Sequence, residues 1–230
     1  MRINMNKKSK GFTLVEMSIV LVVIGLILGA VSIGKDLQRN AQYQKISQSF
    51  IQEWALAYQN HFNRVNLVIG DSPTSPTLRV NGTNTAEICG AALFTAMDNA
   101  GVRMPGGRAE GSEDTYVYLD TNGNPQQLTI CFDNIAWSVD GTTSGTYMSR
   151  NKNVMVIKGV TPDLARLLDT SIDGIADARF GFFRESQYIN NTTATQRTWS
   201  KTNRENRAGQ VRNRDEDQIA ILTAYYLMPE

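Results

Sequence analysis

From Phe12 to Ile33 the sequence reads FTLVEMSIVLVVIGLILGAVSI, 22 residues with a single charge, Glu16. As a helix rising about 1.5 Å per residue, such a run spans roughly 33 Å, enough to cross a bilayer core of about 30 Å. Ahead of it stand Arg2, Lys7, Lys8 and Lys10 with no acid among them. The whole chain has 23 basic and 22 acidic residues; without those four cations, the part from Phe12 onward keeps 19 basic residues and is formally −3. Cations before the span and a slightly acidic body after it predict a cytoplasmic N-terminus and an extracytoplasmic body. A body this close to neutral gives no reason to expect nucleic acid as a partner.

Two ordinary explanations leave something over. A secretory signal peptide has an apolar core of about 7–15 residues followed by a small-residue cleavage site. This run is longer, and no such site clearly follows it. A plain signal anchor accounts for length and orientation but not for Glu16. A carboxylate in mid-membrane costs on the order of 2.5–3.5 kcal/mol, so it usually has a partner or a function.

The residues Lys10-Gly11-Phe12-Thr13-Leu14-Val15-Glu16 resemble the processing site of the type IV pilin and type II secretion pseudopilin superfamily. The motif joins a short basic leader, a glycine, an aromatic, a glutamate four residues on and an uninterrupted apolar run. The resemblance is close there and weak elsewhere. It implies that a membrane-embedded prepilin peptidase cuts between Gly11 and Phe12 and methylates the new Phe12 amine. Glycine suits the junction, because without Cβ the backbone can be extended and closely approached. It also implies that Glu16 pairs with the Phe12 amine, on a neighbouring subunit, as the chain enters a fibre. An acid buried in apolar surroundings needs such an opposite charge. A carboxylate merely protonated in the membrane or reaching its interface is the alternative. The implied partners are the peptidase, identical or related pilin subunits, the inner membrane and the pilus or secretion assembly platform. The implied itinerary runs from bacterial inner membrane to extracytoplasmic fibre or periplasmic pseudopilus.

The organisation expected is a leader over 1–11, a membrane or fibre-core half-helix over 12–33, an amphipathic half-helix over 34–62, and an extracytoplasmic head over 63–230. The fold class is α+β, with a long N-terminal helix packed on a mostly antiparallel sheet. No proline occurs between Phe12 and Phe62, and Leu37, Tyr43, Ile46, Phe50, Trp54, Ala57, Tyr58 and Phe62 follow helical spacing. Gly25 and Gly29 form a GxxxG pattern that permits close packing of membrane helices; Gly34 interrupts the helix a third time. Many major pilins of the resembled family have proline where this chain has Ile33, which leans the reading toward a minor subunit.

In the head, a short helix is expected over Thr85–Ala100, with Ile88, Ala92 and Met97 inward. Tyr116–Leu119 and Gln127–Phe132 read as a hairpin around the turn Asp120–Pro125. Ile135–Val139, Thr146–Ser149 and Asn153–Val160 continue the sheet. Pro162–Leu168 reads as a helix with proline in its first turn. Phe180–Phe183 and Ile219–Met228 read as strands, and the polar stretch 190–218 as a long surface loop. Cys89 and Cys131 fall outside the membrane, where an oxidising compartment makes a disulfide the default over two buried thiols.

Candidate chemistry in the head is sparse. Asp169, Asp173 and Asp177 recur every four residues, and oxygen ligands suit calcium. The resemblance adds that some pseudopilins hold calcium in a loop. The preferred reading is a helix ending in an Asp173-Gly174 turn, so no metal is assigned. Asp120-Thr-Asn122-Gly-Asn124 begins like a calcium loop but has its glycine misplaced and Cys131 at the twelfth position, so it reads as a turn. His61 stands alone without a metal-ligand set. Arg204, Arg207, Arg212 and Arg214 are offset by Glu205, Asp215, Glu216 and Asp217. Asn190 and Asn191 open short glycosylation sequons. No nucleophile elbow, phosphate loop or zinc spacing occurs, so neither an enzyme nor a cofactor is expected. The rival function is a membrane-anchored extracytoplasmic enzyme or binding module, or an adhesin using 190–218.

Overall fold

The computed structural model describes residues 11–82, 86–190, 195, 197–199 and 219–229. The cations Arg2, Lys7, Lys8 and Lys10, the Arg204–Arg214 cluster with its acids, most of the 190–218 stretch and Thr85 lie outside the described residues.

Helix α1 runs from Leu14 to Ile46, passes through one π-helical turn at Ser47–Ile51, and continues as α2 from Gln52 to Val65. The expectation of a single helix over 12–62 is shifted at both ends and interrupted once. The start moves to Leu14 because Thr13 caps the helix. The end moves to Val65 because Asn66 takes a left-handed conformation (φ 58°) and donates its N–H to the Phe62 carbonyl at 2.8 Å. That is the αL termination that asparagine tolerates well. In the wider π turn, Ser47, Phe50 and Ile51 are all buried.

The chain divides into two compact units, 1–41 and 42–230. Among the described residues of the second, six strands form one antiparallel sheet: β1 Ile88–Cys89, β2 Thr115–Leu119, β3 Pro125–Asp140, β4 Tyr147–Val160, β5 Phe183–Glu185 and β6 Leu222–Leu227. The order is β1-β3-β4-β6-β5, with β2 also on β3. The expected segments Gln127–Phe132 and Ile135–Val139 merge into the long β3, and Thr146–Ser149 and Asn153–Val160 into β4. The turn between β2 and β3 forms as its residues require. Asp120 Oδ1 accepts the N–H groups of Asn122 and Asn124, both at 2.9 Å.

Side-chain alternation divides β3 between two clusters. Leu128, Ile130 and Phe132 join the main core with Tyr43, Ile46, Phe50, Trp54 and Tyr58 of the helical run. Tyr58 stacks on Phe132 at 5.4 Å between ring centroids, and Trp54 lies 6.2 Å from the same ring. Cys131 and Trp137 point the other way, with Val154 and Val156. Cys131 sits directly opposite Cys89 in the register, and the two are joined by a disulfide across a Cα–Cα distance of 4.5 Å.

The helix expected over Thr85–Ala100 is instead strand β1 followed by α3, Gly90–Asn99. Pairing of Ile88 and Cys89 with β3 claims the residues that would have opened the helix. Ala92 is exposed; Leu93 and Met97 are the buried residues of α3. Helix α4 covers Pro162–Asp173 and ends at Gly174 in the left-handed region (φ 83°). The strand expected at Phe180–Phe183 begins only at Phe183. The surface loop expected over 190–218 is corrected at Trp199, which is 1% exposed and packs 5.5 Å from the Phe183 ring.

Candidate functional site

The residues that the sequence marks for processing and assembly stand together at the start of α1. Thr13 precedes the first helical residue. Its hydroxyl accepts the Glu16 N–H at 3.2 Å, while the Glu16 carboxylate accepts the Thr13 N–H at 2.8 Å and the Thr13 hydroxyl at 2.9 Å. This reciprocal exchange is a capping box, satisfying two N-terminal donors that have no partner within the helix. It folds the one acid of the apolar run back toward residue 12. Thr13 is passed over by the sequence reading above, although the T-x-x-E spacing carries the signal.

Phe12 is 80% exposed, and among the described residues no atom beyond its chain neighbours lies within 4 Å of where a Gly11 Cβ would stand. Nothing in the described residues covers the Gly11–Phe12 backbone. From Leu14 to Val31 the helix is long and apolar enough to cross a membrane, and none of that span is buried within the chain. Gly25 and Gly29 are open in the same way. A helix apolar on every face is of the kind that lies buried in a large core or in a membrane.

Residues 6–32 match the family model described as the prokaryotic N-terminal methylation motif, the hallmark of type IV pilin and pseudopilin precursors. The methylation motif thus lies on the apolar N-terminal helix. No curated protein and no solved structure matches the chain.

In the head, Asp169, Asp173 and Asp177 come together around the loop after α4, each spending oxygens on backbone N–H groups. Asp169 Oδ2 accepts from Asp177 N–H at 2.7 Å and from the Trp199 indole at 2.6 Å. Asp173 accepts from Phe182 and Phe183 N–H at 3.0 and 2.9 Å. Asp177 accepts from Arg179 and Phe180 N–H at 2.9 and 3.1 Å. Those bonds shape a loop, and the chemistry they show is anchoring. Asp169 is fully buried, with Oδ1 lacking a hydrogen-bond partner. Burial pushes its carboxyl up to about 8, Asp173 adds to the rise, and the bonds from Trp199 and Asp177 oppose it.

Glu87, Cys89 and Cys131 place three possible ligand atoms close together. Both sulfurs are consumed by the disulfide, so they are not the thiolates a soft metal takes. His61 is buried, with Nδ1 3.0 Å from the Leu67 carbonyl. Burial lowers its pKa below the usual histidine value. Arg184, which no sequence signal marked, lies 4.2 Å from the centroid of the Trp137 ring and donates to Ser138 and Gly181. Burial pulls its guanidinium down to about 10.

Proposed function

We propose that this chain is the precursor of a structural subunit of a type IV pilus or related pseudopilus. In this reading the Leu14–Val31 span waits in the inner membrane with the head outside. Prepilin peptidase cuts between Gly11 and Phe12, the Phe12 amine is methylated, and the helix then packs against its neighbours in a fibre. Glu16 neutralises the Phe12 amine of an adjoining subunit. The observation that carries the reading is the methylation motif over residues 6–32 lying on a helix long and apolar enough to cross a membrane, none of it buried among the described residues.

Cleavage would remove all four leader cations and create the amine that Glu16 needs, coupling assembly to processing. The capping box fits the same role, because it already turns the carboxylate toward the residue that becomes the N-terminus. Opposite charges brought together in apolar surroundings relieve a penalty that each would carry alone. Ile33, and a disulfide away from the C-terminus, where many pilins of the resembled family carry theirs, support a minor over a major subunit.

Mass spectrometry of the N-terminal peptide from the native cell tests the reading. A peptide beginning with methylated Phe12 is expected. An N-terminus at Met1, or one beyond residue 30, would refute it. The proportion of this chain in sheared fibres then decides between minor and major roles.

A further inference from the structure

Where the end of α2 and the loop after it meet the middle of β3 and β4, the head holds a recess of about 550 Å³. That falls within the range of small-molecule sites, about 300–1,000 Å³. Its charge is one-sided. Among the described residues Arg79 and Arg150 line it, with Pro229 from the end of the described chain, and no aspartate or glutamate does. Among the described residues no ion pair engages either guanidinium; Arg150 has only a 3.4 Å contact from Nε to the Met148 sulfur. Asn134 and Asn151 add amides to the lining, and Phe62 and Leu78 add apolar surface.

The rim is held in an unfavourable backbone conformation. Leu78 has φ 58°, a region that costs energy for any residue with a branched, bulky side chain. Polar anchors on both sides keep it there. Its N–H donates to Asp71 Oδ2 at 2.8 Å, and its carbonyl accepts from Asn153 Nδ2 at 3.0 Å. Asn153 is itself buried, and its Oδ1 accepts from Val80 N–H at 3.0 Å and Asn134 Nδ2 at 2.7 Å. The Leu78 side chain is left 60% exposed beside Arg79. Stored strain of this kind concentrates at ligand clamps.

We propose that this recess binds an acidic carbohydrate of the uronic-acid type. Arg79 and Arg150 take the carboxylate, which suits the guanidinium fork. The amides of Asn151 and Asn134 offer donors and acceptors to ring hydroxyls. Phe62 and Leu78 take the apolar C–H face of the ring. An anion without such a face, such as phosphate, leaves the apolar wall unused. The proposal concerns the head alone and stands whether or not the chain enters a fibre.

The test is calorimetric titration of the full-length chain in a neutral detergent with trigalacturonate and, separately, its methyl ester. Saturable binding of the acid is expected, weaker by about tenfold or more for the ester and for the R79Q/R150Q variant. Asn151→Ala should weaken it several-fold. All three side chains are exposed, so the variants should melt with the parent. Absence of saturable binding overturns the proposal, as does an unchanged affinity in R79Q/R150Q. Equal binding of tetraglutamate or inorganic phosphate at matched ionic strength also overturns it, because the recess is then a general anion contact.

Discussion

Between Leu14 and Val31 the helical run is apolar on every side, and none of it is buried within the chain. Between Tyr43 and His61 its composition is mixed, yet Tyr43, Ile46, Phe50, Ile51, Trp54, Ala57, Tyr58 and His61 are all buried. The more apolar half therefore contributes nothing to the core of this chain, and the less apolar half contributes a large part of it. What differs is pattern. Around Tyr43–His61 the apolar positions recur at helical spacing and match one sheet face; around Leu14–Val31 they have no polar face to set a direction. The first half is written for a solvent or partner outside the chain, and the second for the sheet.

The sharpest way to break this comparison is a substitution that should matter only outside the chain. Among the described residues, no atom beyond its chain neighbours approaches the position of a Gly11 Cβ. Gly11→Leu should therefore leave head stability unchanged while abolishing cleavage. The check pairs a melting curve with the intact mass of the protein recovered from cells. A cleaved G11L chain would remove the basis for reading this junction as the processing site.

Substitutions in the head should behave in the opposite way, lowering stability without touching processing. Trp199→Ala empties a buried site against Phe183 and should cost about 3–5 kcal/mol in chemical denaturation. Trp199→Phe keeps most of the ring but leaves Asp169 without its indole donor, for about 1–3 kcal/mol. A Trp199→Ala variant as stable as its parent would return this residue to the surface loop that the sequence suggested. Next in size is the disulfide. It joins residues 42 apart in sequence, and replacing both Cys89 and Cys131 by serine should cost about 2–4 kcal/mol in denaturant titrations. A smaller loss would mean that pairing of β1 with β3 holds the segment unaided.

The two halves also differed in how far they could be read. The N-terminal segment was legible because its signals are local: a span length, a lone acid and a glycine; the T-x-x-E spacing is as local and was passed over. In the head, the hairpin around Asp120, the proline start of α4 and its glycine stop were legible for the same reason. Contacts between residues distant in sequence were not. Trp199 sits in a polar stretch, and nothing nearby says that Asp169, 30 residues earlier, will accept its indole N–H. Ile88 and Cys89 look like the first turn of a helix until β3 offers them a partner. Arg79 and Arg150 are unremarkable surface cations until the fold brings them to one recess.

Asp169 supplies the mildest test, because it leaves the packing in place. Burial, with Asp173 beside it, raises this carboxyl from an ordinary value near 3.8 to about 8. The folded chain therefore binds more protons than the unfolded one between those values, and the favourable contribution, complete below about pH 4, is lost as pH rises toward 8. Glu185 and Asp114, also raised by burial, act in the same direction. His61 acts in the opposite one, since its lowered pKa removes stability as pH falls through the ordinary histidine range. Denaturant titrations from pH 4 to 9, followed by the fluorescence of the three tryptophans, all of them buried in the unit 42–230, should therefore show stability declining on the alkaline side. Asp169→Asn keeps an oxygen for Trp199 and Asp177, turns an N–H toward Asp173 and carries no charge. It should flatten that decline while leaving the part due to Glu185 and Asp114. A variant that kept the full parental slope would show that the buried acid responsible lies elsewhere in the head. The Leu14–Val31 half, with no titrating group beyond Glu16, should leave both profiles alike when Glu16→Gln is added to either chain.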